Sequence, residues 1–180
     1  MNFKIRTAVE SDYNSIKSLI AVSARKLGAI YYSPEQIEAA LKTAFGLDTQ
    51  LIRDKTYFMV EADQSPVACG GWSYRQTLFG SDSEQDRNPS RINPQTGAAK
   101  IRAFFVDPAF ARMGIGSMIM NKCEEEALKA GFSKLELMST LPGLKLYERH
   151  GFVAGTAVQY PLGQGLSIEF VPMLKQISAD

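Results

Sequence analysis

Val106-Asp107-Pro108-Ala109-Phe110-Ala111-Arg112-Met113-Gly114-Ile115-Gly116-Ser117 is the stretch on which the reading of this chain turns. It follows a short apolar run, residues 101–106, that reads as a buried strand, and it precedes a helical pattern over residues 118–130. A strand, a tight glycine-containing turn and a helix N-terminus together make a device for holding phosphate. The N–H groups of the first helical turn have no partner within the helix, and the helix dipole favours negative charge beside them. Gly114 and Gly116 remove the Cβ atoms that would keep a ligand away from the backbone. Taken alone, the same residues also fit a tight strand-to-helix connection with no ligand.

Two other phosphate loops are excluded by spacing. No Gly-x-x-x-x-Gly-Lys-Ser/Thr string occurs, which removes the P-loop. The dinucleotide pattern Gly-x-Gly-x-x-Gly fails at its third glycine, where Ile119 stands.

With its neighbours, the stretch resembles motif A of the GNAT superfamily, the acetyl-CoA-dependent N-acetyltransferases. That motif ends a strand with Val-x-Pro and runs Gln/Arg-x-x-Gly-x-Gly/Ala into a helix. Here Val106-Asp107-Pro108 and Ala111-Arg112-Met113-Gly114-Ile115-Gly116 fill those places. Ala111 departs from the pattern, since Gln or Arg is usual there, and Arg112 beside it carries a charge that can substitute. About thirty residues on, Leu146-Tyr147-Glu148-Arg149-His150-Gly151-Phe152 resembles motif B of the same superfamily, a short helix of the form (Leu/Phe)-Tyr-Glu-x-x-Gly-Phe. The two motifs span residues 100–153. Outside that span only the order of elements fits.

The bulk numbers set limits. A chain of 180 residues suits one domain (1–180) able to bury a core. Twenty basic against nineteen acidic residues give no electrostatic case for nucleic acid or an anionic membrane. No apolar run approaches the ~18 residues of a membrane span. The first residues, Met-Asn-Phe-Lys-Ile-Arg, lack the apolar core of a signal peptide. Cys69 and Cys123 sit in apolar segments without metal-ligand spacing, so a reduced, cytoplasmic setting is the expectation, with no metal. His150 is the only histidine, which excludes a His-rich metal site.

Along the chain, residues 3–8 read as an edge strand and Ser11 as an N-cap for a helix whose stripe is Ile16, Leu19, Ile20, Ala24 and Leu27. Ser33-Pro34-Glu35-Gln36 reads as a capping box, with helical spacing continuing through Ile37, Ala40, Leu41, Ala44 and Phe45. Residues 57–62 and 67–74 read as a hairpin. The polar stretch at about 76–99 is a loop insertion, either a surface excursion or a flap over the substrate site. After the central strand, Ile115, Ile119, Cys123 and Ala127 share a helix face, with Glu124, Glu125 and Glu126 on a solvated one. Residues 134–138, 153–160 and 166–174 are further strands. Pro142 opens the short helix of Tyr147. The expected fold is α/β (α+β): a single-domain GNAT-like fold, with a mixed central sheet of about six to seven strands and helices on both faces.

The resemblance implies a site. Acetyl-CoA, as co-substrate, would lie between the central strand and the strand at 134–138. Its pyrophosphate would sit over Ala111, Arg112, Met113, Gly114, Ile115, Gly116 and Ser117, and its pantetheine arm along the backbone of Phe105 and Val106. Thr140 stands where many relatives carry a cofactor-contacting Asn; alternatively, it or Ser139 caps the Pro142 helix. Tyr147 matches the family's general acid and also touches the cofactor. A phenol of pKa about 10 keeps its proton at neutral pH. By chemistry alone Glu10, Asp107, Glu136 and Glu169 are candidates for the base. Tyr31, Tyr32, Trp72 and Tyr74 are candidates for the acceptor pocket, with Trp72 the one that reads best as core. The implied reaction is acetyl transfer, by direct attack in a ternary complex, to a primary amine of a small molecule or protein. The alternative is a non-catalytic acyl-CoA-binding or sensor module. A homodimer through the late strands also fits the resemblance.

Overall fold

The computed structural model describes residues 2–178. Eight strands form one sheet in the order β1-β2-β3-β4-β5-β8-β6, with β7 also on β8. β1 (Phe3–Thr7), β2 (Tyr57–Ala62), β3 (Ser65–Ser73) and β4 (Ala99–Val106) form an antiparallel half. β5 (Lys134–Thr140) runs parallel to β4 and antiparallel to β8 (Leu166–Gln176). The expected mixed sheet is present, with eight strands rather than six to seven. Residues 153–160, read as one strand, are β6 (Val153–Ala154) and β7 (Val158–Gly163), which pair at different places along β8. The Gly155 N–H still bonds Pro172 O at 2.8 Å; the chain then leaves the sheet until Val158.

Strand periodicity distributes the core between two faces. On β2, Phe58, Val60 and Ala62 face one cluster, and Tyr57 and Met59 the other. The first cluster is covered by α4 (Ile115–Lys129), whose Ile115, Ile119, Cys123 and Ala127 are no more than 2% exposed, and by Tyr147 and Phe152. The second is covered by α1 (Tyr13–Leu27) and α2 (Pro34–Ala40), with α3 (Thr49–Arg53) at its edge. Each fully buried Ile or Leu contributes about 1.5–3 kcal/mol, so these stripes hold the helices on both faces. Among the described residues no helix is long and apolar enough to cross a membrane.

The helix starts show where side-chain chemistry overrides simple spacing. Ser11 is not the cap of α1; a 3-10 turn, Glu10–Asp12, precedes it and Asp12 takes the cap position. The Asp12 carboxylate accepts from Val9 N–H (2.8 Å) and pairs with Arg6 (2.7 Å), which holds its pKa below the usual carboxylate range. The Ser33 box forms as expected, with Ser33 Oγ accepting from Gln36 N–H. The helix stops at Ala40, however, and does not run through Phe45. Phe45 N–H donates five residues back to Ala40 O at 2.7 Å, and this wide last turn swings the Phe45 ring into the core. The short α3 that follows was not legible; Asp48 caps it, accepting from Gln50 N–H at 3.0 Å.

One departure from regular sheet positions the site. β4 and β5 pair only at Ala99–Leu135 and Lys100–Glu136, where the Lys100 and Glu136 side chains also form an ion pair. Beyond that point the strands separate. On its other edge β4 carries a bulge, one extra residue between its partners for Gly71 and Cys69. Ala103 takes the strain, with φ +53°, and turns its carbonyl to accept from Tyr57 Oη at 2.7 Å. The Phe104 ring lies across Gly70, where a Cβ would sit 2.6 Å from the ring.

Candidate active site

A cavity of about 390 Å³ occupies the gap between the separated strands. At one end it reaches the turn into α4. Arg112 (φ +67°) and Gly114 (φ +83°) both adopt left-handed backbone there. Met118 N–H is bonded to Gly114 O (3.1 Å), which leaves the N–H groups of Ile115, Gly116 and Ser117 at the cavity mouth. A Cβ on Gly114 would meet nothing, so glycine is favoured there by its left-handed backbone; a Cβ on Gly116 would press on the Leu146 side chain at 3.0 Å, so glycine there lets α5 lie close. Asp107 is a turn residue that accepts from Ala109 N–H (2.8 Å).

The short helix α5 (Leu144–Arg149) crosses this turn. Its Lys145 and Arg149 join Arg112 in lining the cavity. His150, at its end, meets Ser117 Oγ through Nε2 at 3.0 Å. Partial burial, with Lys175 nearby, lowers the His150 pKa against the pull of Glu124.

Of the residues expected to touch a cofactor, Phe105, Val106, Ala111, Arg112, Gly114, Ile115, Gly116, Ser117, Thr140 and Tyr147 line this one cavity. Met113 does not; its side chain is about half exposed (49%). Neither Ser139 nor Thr140 caps the turn at Leu141–Gly143 through its side chain. Leu141 N–H donates instead to Tyr32 Oη (2.8 Å), reaching across from the α1–α2 connection. Thr140 therefore keeps its place on the cavity wall without a capping duty.

Tyr147 is buried on the wall of the cavity. Its ring packs edge-on to Phe104 (6.0 Å) and Phe152 (5.8 Å), and Gly143 makes room for it, since a Cβ there would lie 2.9 Å from the ring. Burial pushes the phenol pKa well above its ordinary value. Opposite, Ser23 of α1 accepts from the Val106 N–H at 3.2 Å; this buried serine on the cavity wall carries no motif and was missed in the sequence.

The far end is aromatic. Tyr32, Phe45, Phe79, Phe105 and Phe170 line it, and successive ring centroids lie 5.4–6.5 Å apart. Of the tyrosines and tryptophan proposed for this pocket only Tyr32 is there. Trp72 is core on the opposite face, against Tyr74 and Phe132. Tyr74 is flanked by Arg75 and Arg91, and Tyr31 is exposed. Of the four candidate bases none lines the cavity. Glu136 is paired with Lys100, and Glu169 accepts from Gln159.

The polar stretch between β3 and β4 packs against this end. Leu78, Phe79 and Gly80 form part of the wall. Arg102, 2% exposed, donates to Thr77 O (2.9 Å) and Gly80 O (2.8 Å) and pairs with Asp48 (2.8 Å). Arg87 reaches the same Asp48 carboxylate at 2.6 Å. Tyr160 Oη donates to Glu84 (2.5 Å), while Ser81 N–H and Asp82 N–H bond Thr43 O and Leu47 O. The stretch, called the flap below, is packed onto the body of the protein and contributes Leu78, Phe79 and Gly80 to the cavity wall.

The family model described as the acetyltransferase (GNAT) family matches residues 23–152. No curated protein matches the sequence. Among solved structures, a GCN5-related N-acetyltransferase from Rhodopseudomonas palustris superposes with TM-score 0.72 at 16% identity, covering 98% of this chain and 97% of that one. The PaiA N-acetyltransferase from Thermoplasma acidophilum, solved with coenzyme A, gives 0.66 at 16% identity, covering 98% and 100%. A GNAT family acetyltransferase from Brucella melitensis, solved with acetyl-CoA, gives 0.58 at 16%, covering 99% and 90%. At these identities the likeness is one of fold.

Proposed function

The chain belongs to the GNAT acetyltransferase family, and from that premise we propose that it transfers an acetyl group from acetyl-CoA to a primary amine by direct attack in a ternary complex. The observation that carries this is the placement of one buried phenol, Tyr147, on a cavity that runs from the α4 N-terminus to an aromatic pocket. The residues present fit the co-substrate. The N–H groups of Ile115, Gly116 and Ser117, with the charge of Arg112, suit a pyrophosphate; Lys145 and Arg149 add cationic charge beside them. The stretch of β4 that leaves β5 offers backbone groups of Phe105 and Val106 to an amide-bearing arm.

The chemistry then divides among this chain's groups. Acetyl-CoA supplies an activated thioester carbonyl. Ser23 accepts from Val106 N–H, so its own hydroxyl proton is free to donate to an oxygen in the cavity and can stabilise charge as that carbonyl becomes tetrahedral. Tyr147, holding its proton at neutral pH, donates it to the leaving sulfur. The amine nitrogen loses one proton as the new C–N bond forms, and the thiol gains one.

Ala111 favours a second reading, an acyl-CoA-binding module without turnover, because the polar side chain usual at that place is missing. Acetyl-CoA-dependent thiol release against a panel of amines, run beside calorimetry with acetyl-CoA, separates the two. Release supports the transferase. Binding with no release from any amine supports the module, and no binding at millimolar acetyl-CoA removes both.

A further inference from the structure

Charge on the cavity wall is one-sided. Its charged side chains are Arg102, Arg112, Lys145 and Arg149, and no Asp or Glu lines it among the described residues. Three of these cations belong to the phosphate end. Arg102, at the other end, is already committed: Asp48, Thr77 O and Gly80 O occupy its donors. Three carboxylates lie behind the wall rather than on it: Asp48 is held between two arginines, Glu84 accepts from Tyr160, and Glu169 accepts from Gln159. An acceptor with a second ammonium group would find no carboxylate on the wall to pair with, and one with a carboxylate would find the Arg102 fork already occupied. The far end of the wall is dominated by rings and one sulfur, from Tyr32, Phe45, Phe79, Phe105, Met138 and Phe170, while aliphatic residues such as Leu27 and Leu78 and the hydroxyls of Ser23 and Thr140 complete the lining.

From this we infer that the acceptor is a small monoamine with an apolar, ring-sized body, which enters the aromatic pocket and presents a neutral nitrogen; the inference rests on the transferase reading above. Apolar walls and nearby cations both disfavour an ammonium, so the amine sheds its proton to water on entry and no carboxylate base on the wall is needed. The neutral nitrogen bonds to the acetyl carbon as the C–S bond breaks. The surplus nitrogen proton is released to water while Tyr147 protonates the sulfur, and water restores the phenol. The pocket is also closed against an extended peptide. Ser81 N–H and Asp82 N–H stitch the flap to Thr43 O and Leu47 O, and a Cβ on Gly46 would lie only 2.6 Å from Ser81 Cβ. The flap and the segment between α2 and α3, which both line the pocket, are thus joined to each other.

The test measures kcat/KM by thiol release with 2-phenylethylamine, ethylamine, spermidine and a peptide with an N-terminal phenylalanine. The expected result is a preference of at least about tenfold for 2-phenylethylamine over each of the others, the size of effect that one buried ring contributes to discrimination. Phe79→Ala, on the partly exposed flap, is expected to lower that preference about tenfold while acetyl-CoA affinity stays within twofold. Preference for spermidine, ethylamine or the peptide overturns the acceptor assignment and leaves the transferase standing. Release from no amine at all, with acetyl-CoA bound, overturns the transferase reading and this one with it.

Discussion

The two ends of the cavity are built from different material. The phosphate end is mostly backbone: successive N–H groups of one helical turn, shaped by two left-handed residues and kept open by glycines. The acceptor end is side chain, with Tyr32, Phe45, Phe79, Phe105 and Phe170 brought together from the α1–α2 connection, the α2–α3 connection, the flap, β4 and β8. A backbone site must be made by neighbours in sequence, so it appears as a motif. A side-chain site needs only that the fold converge, and it leaves no local trace. The first end is therefore expected to tolerate side-chain change and fail on conformational change, and the second the reverse.

The largest expected effect comes from the frame of the acceptor end. Arg102→Leu removes a cation that is 2% exposed and leaves Thr77 O and Gly80 O without their donor. Breaking a buried pair costs about 3–5 kcal/mol, because the remaining charge is stranded. Here Arg87 still reaches Asp48, so the lower figure, about 3 kcal/mol, is expected. Urea unfolding reads it directly. A loss below about 1 kcal/mol would mean that the flap does not depend on this cluster.

Tyr147→Phe joins the two ends, since the ring stays and only the proton donor goes. Turnover with the best amine is expected to fall about a hundredfold, the lower range for a lost general acid. Acetyl-CoA affinity should hold within twofold, because the ring still fills the space beside Gly143. Unchanged turnover would take the acid role from Tyr147; a large loss of affinity would make the residue a binding group instead.

The same division explains what the sequence made legible. Residues 106–117 and 146–152 announced a turn, a helix start and a short helix, and those elements stand where expected. What could not be read was long-range. Phe45 was placed on a continuing helix because its spacing is helical, yet Ala40 O captures its N–H and the ring turns into the pocket. Arg102 sits in an apolar strand with nothing nearby in sequence to mark its partner Asp48, 54 positions away. Trp72 reads best as core and is core, whereas Tyr74, offered to the pocket as an aromatic, packs against Trp72 on the opposite face. Composition made residues 76–99 look like solvent-facing loop. The arginines and the Phe79 ring, which bind the stretch to the body of the protein, were counted as ordinary polar and aromatic content.

A smaller effect is expected where backbone conformation alone is altered at the phosphate end. Gly114→Ala adds a methyl that touches nothing but must adopt φ +83°. The left-handed region costs a non-glycine residue about 1–2 kcal/mol. If the turn relaxes to avoid that cost, the N–H groups of α4 are re-aimed and acetyl-CoA binding is expected to weaken about tenfold, with kcat nearly unchanged. Arg112→Ala, already in left-handed backbone, is the side-chain counterpart and should weaken binding less. If Arg112→Ala proved the more damaging, the phosphate end would depend on charge rather than on backbone.

The smallest effect concerns His150, which touches that same end through Ser117. Its folded pKa is lowered by burial and by Lys175, against an unfolded value of about 6.5. As pH falls through and below 6.5 the unfolded chain takes up this proton before the folded one does. The unfolded state then binds more protons, and stability rises with pH across that window and declines as pH drops. Ligand binding is expected to move the other way. A protonated ring beside Ser117 adds positive charge where phosphate sits, so acetyl-CoA should bind more tightly as the ring charges. His150→Gln keeps a polar partner for Ser117 and removes the titration. Urea midpoints and acetyl-CoA affinities at pH 7.5 and 5.5 give the comparison, with the variant cancelling whatever the phosphates themselves contribute. The wild type should lose more stability than the variant between those two values and gain more affinity. Parallel behaviour of the two proteins would mean that the imidazole serves only to pack the end of α5, and that the phosphate end carries no titrating side chain.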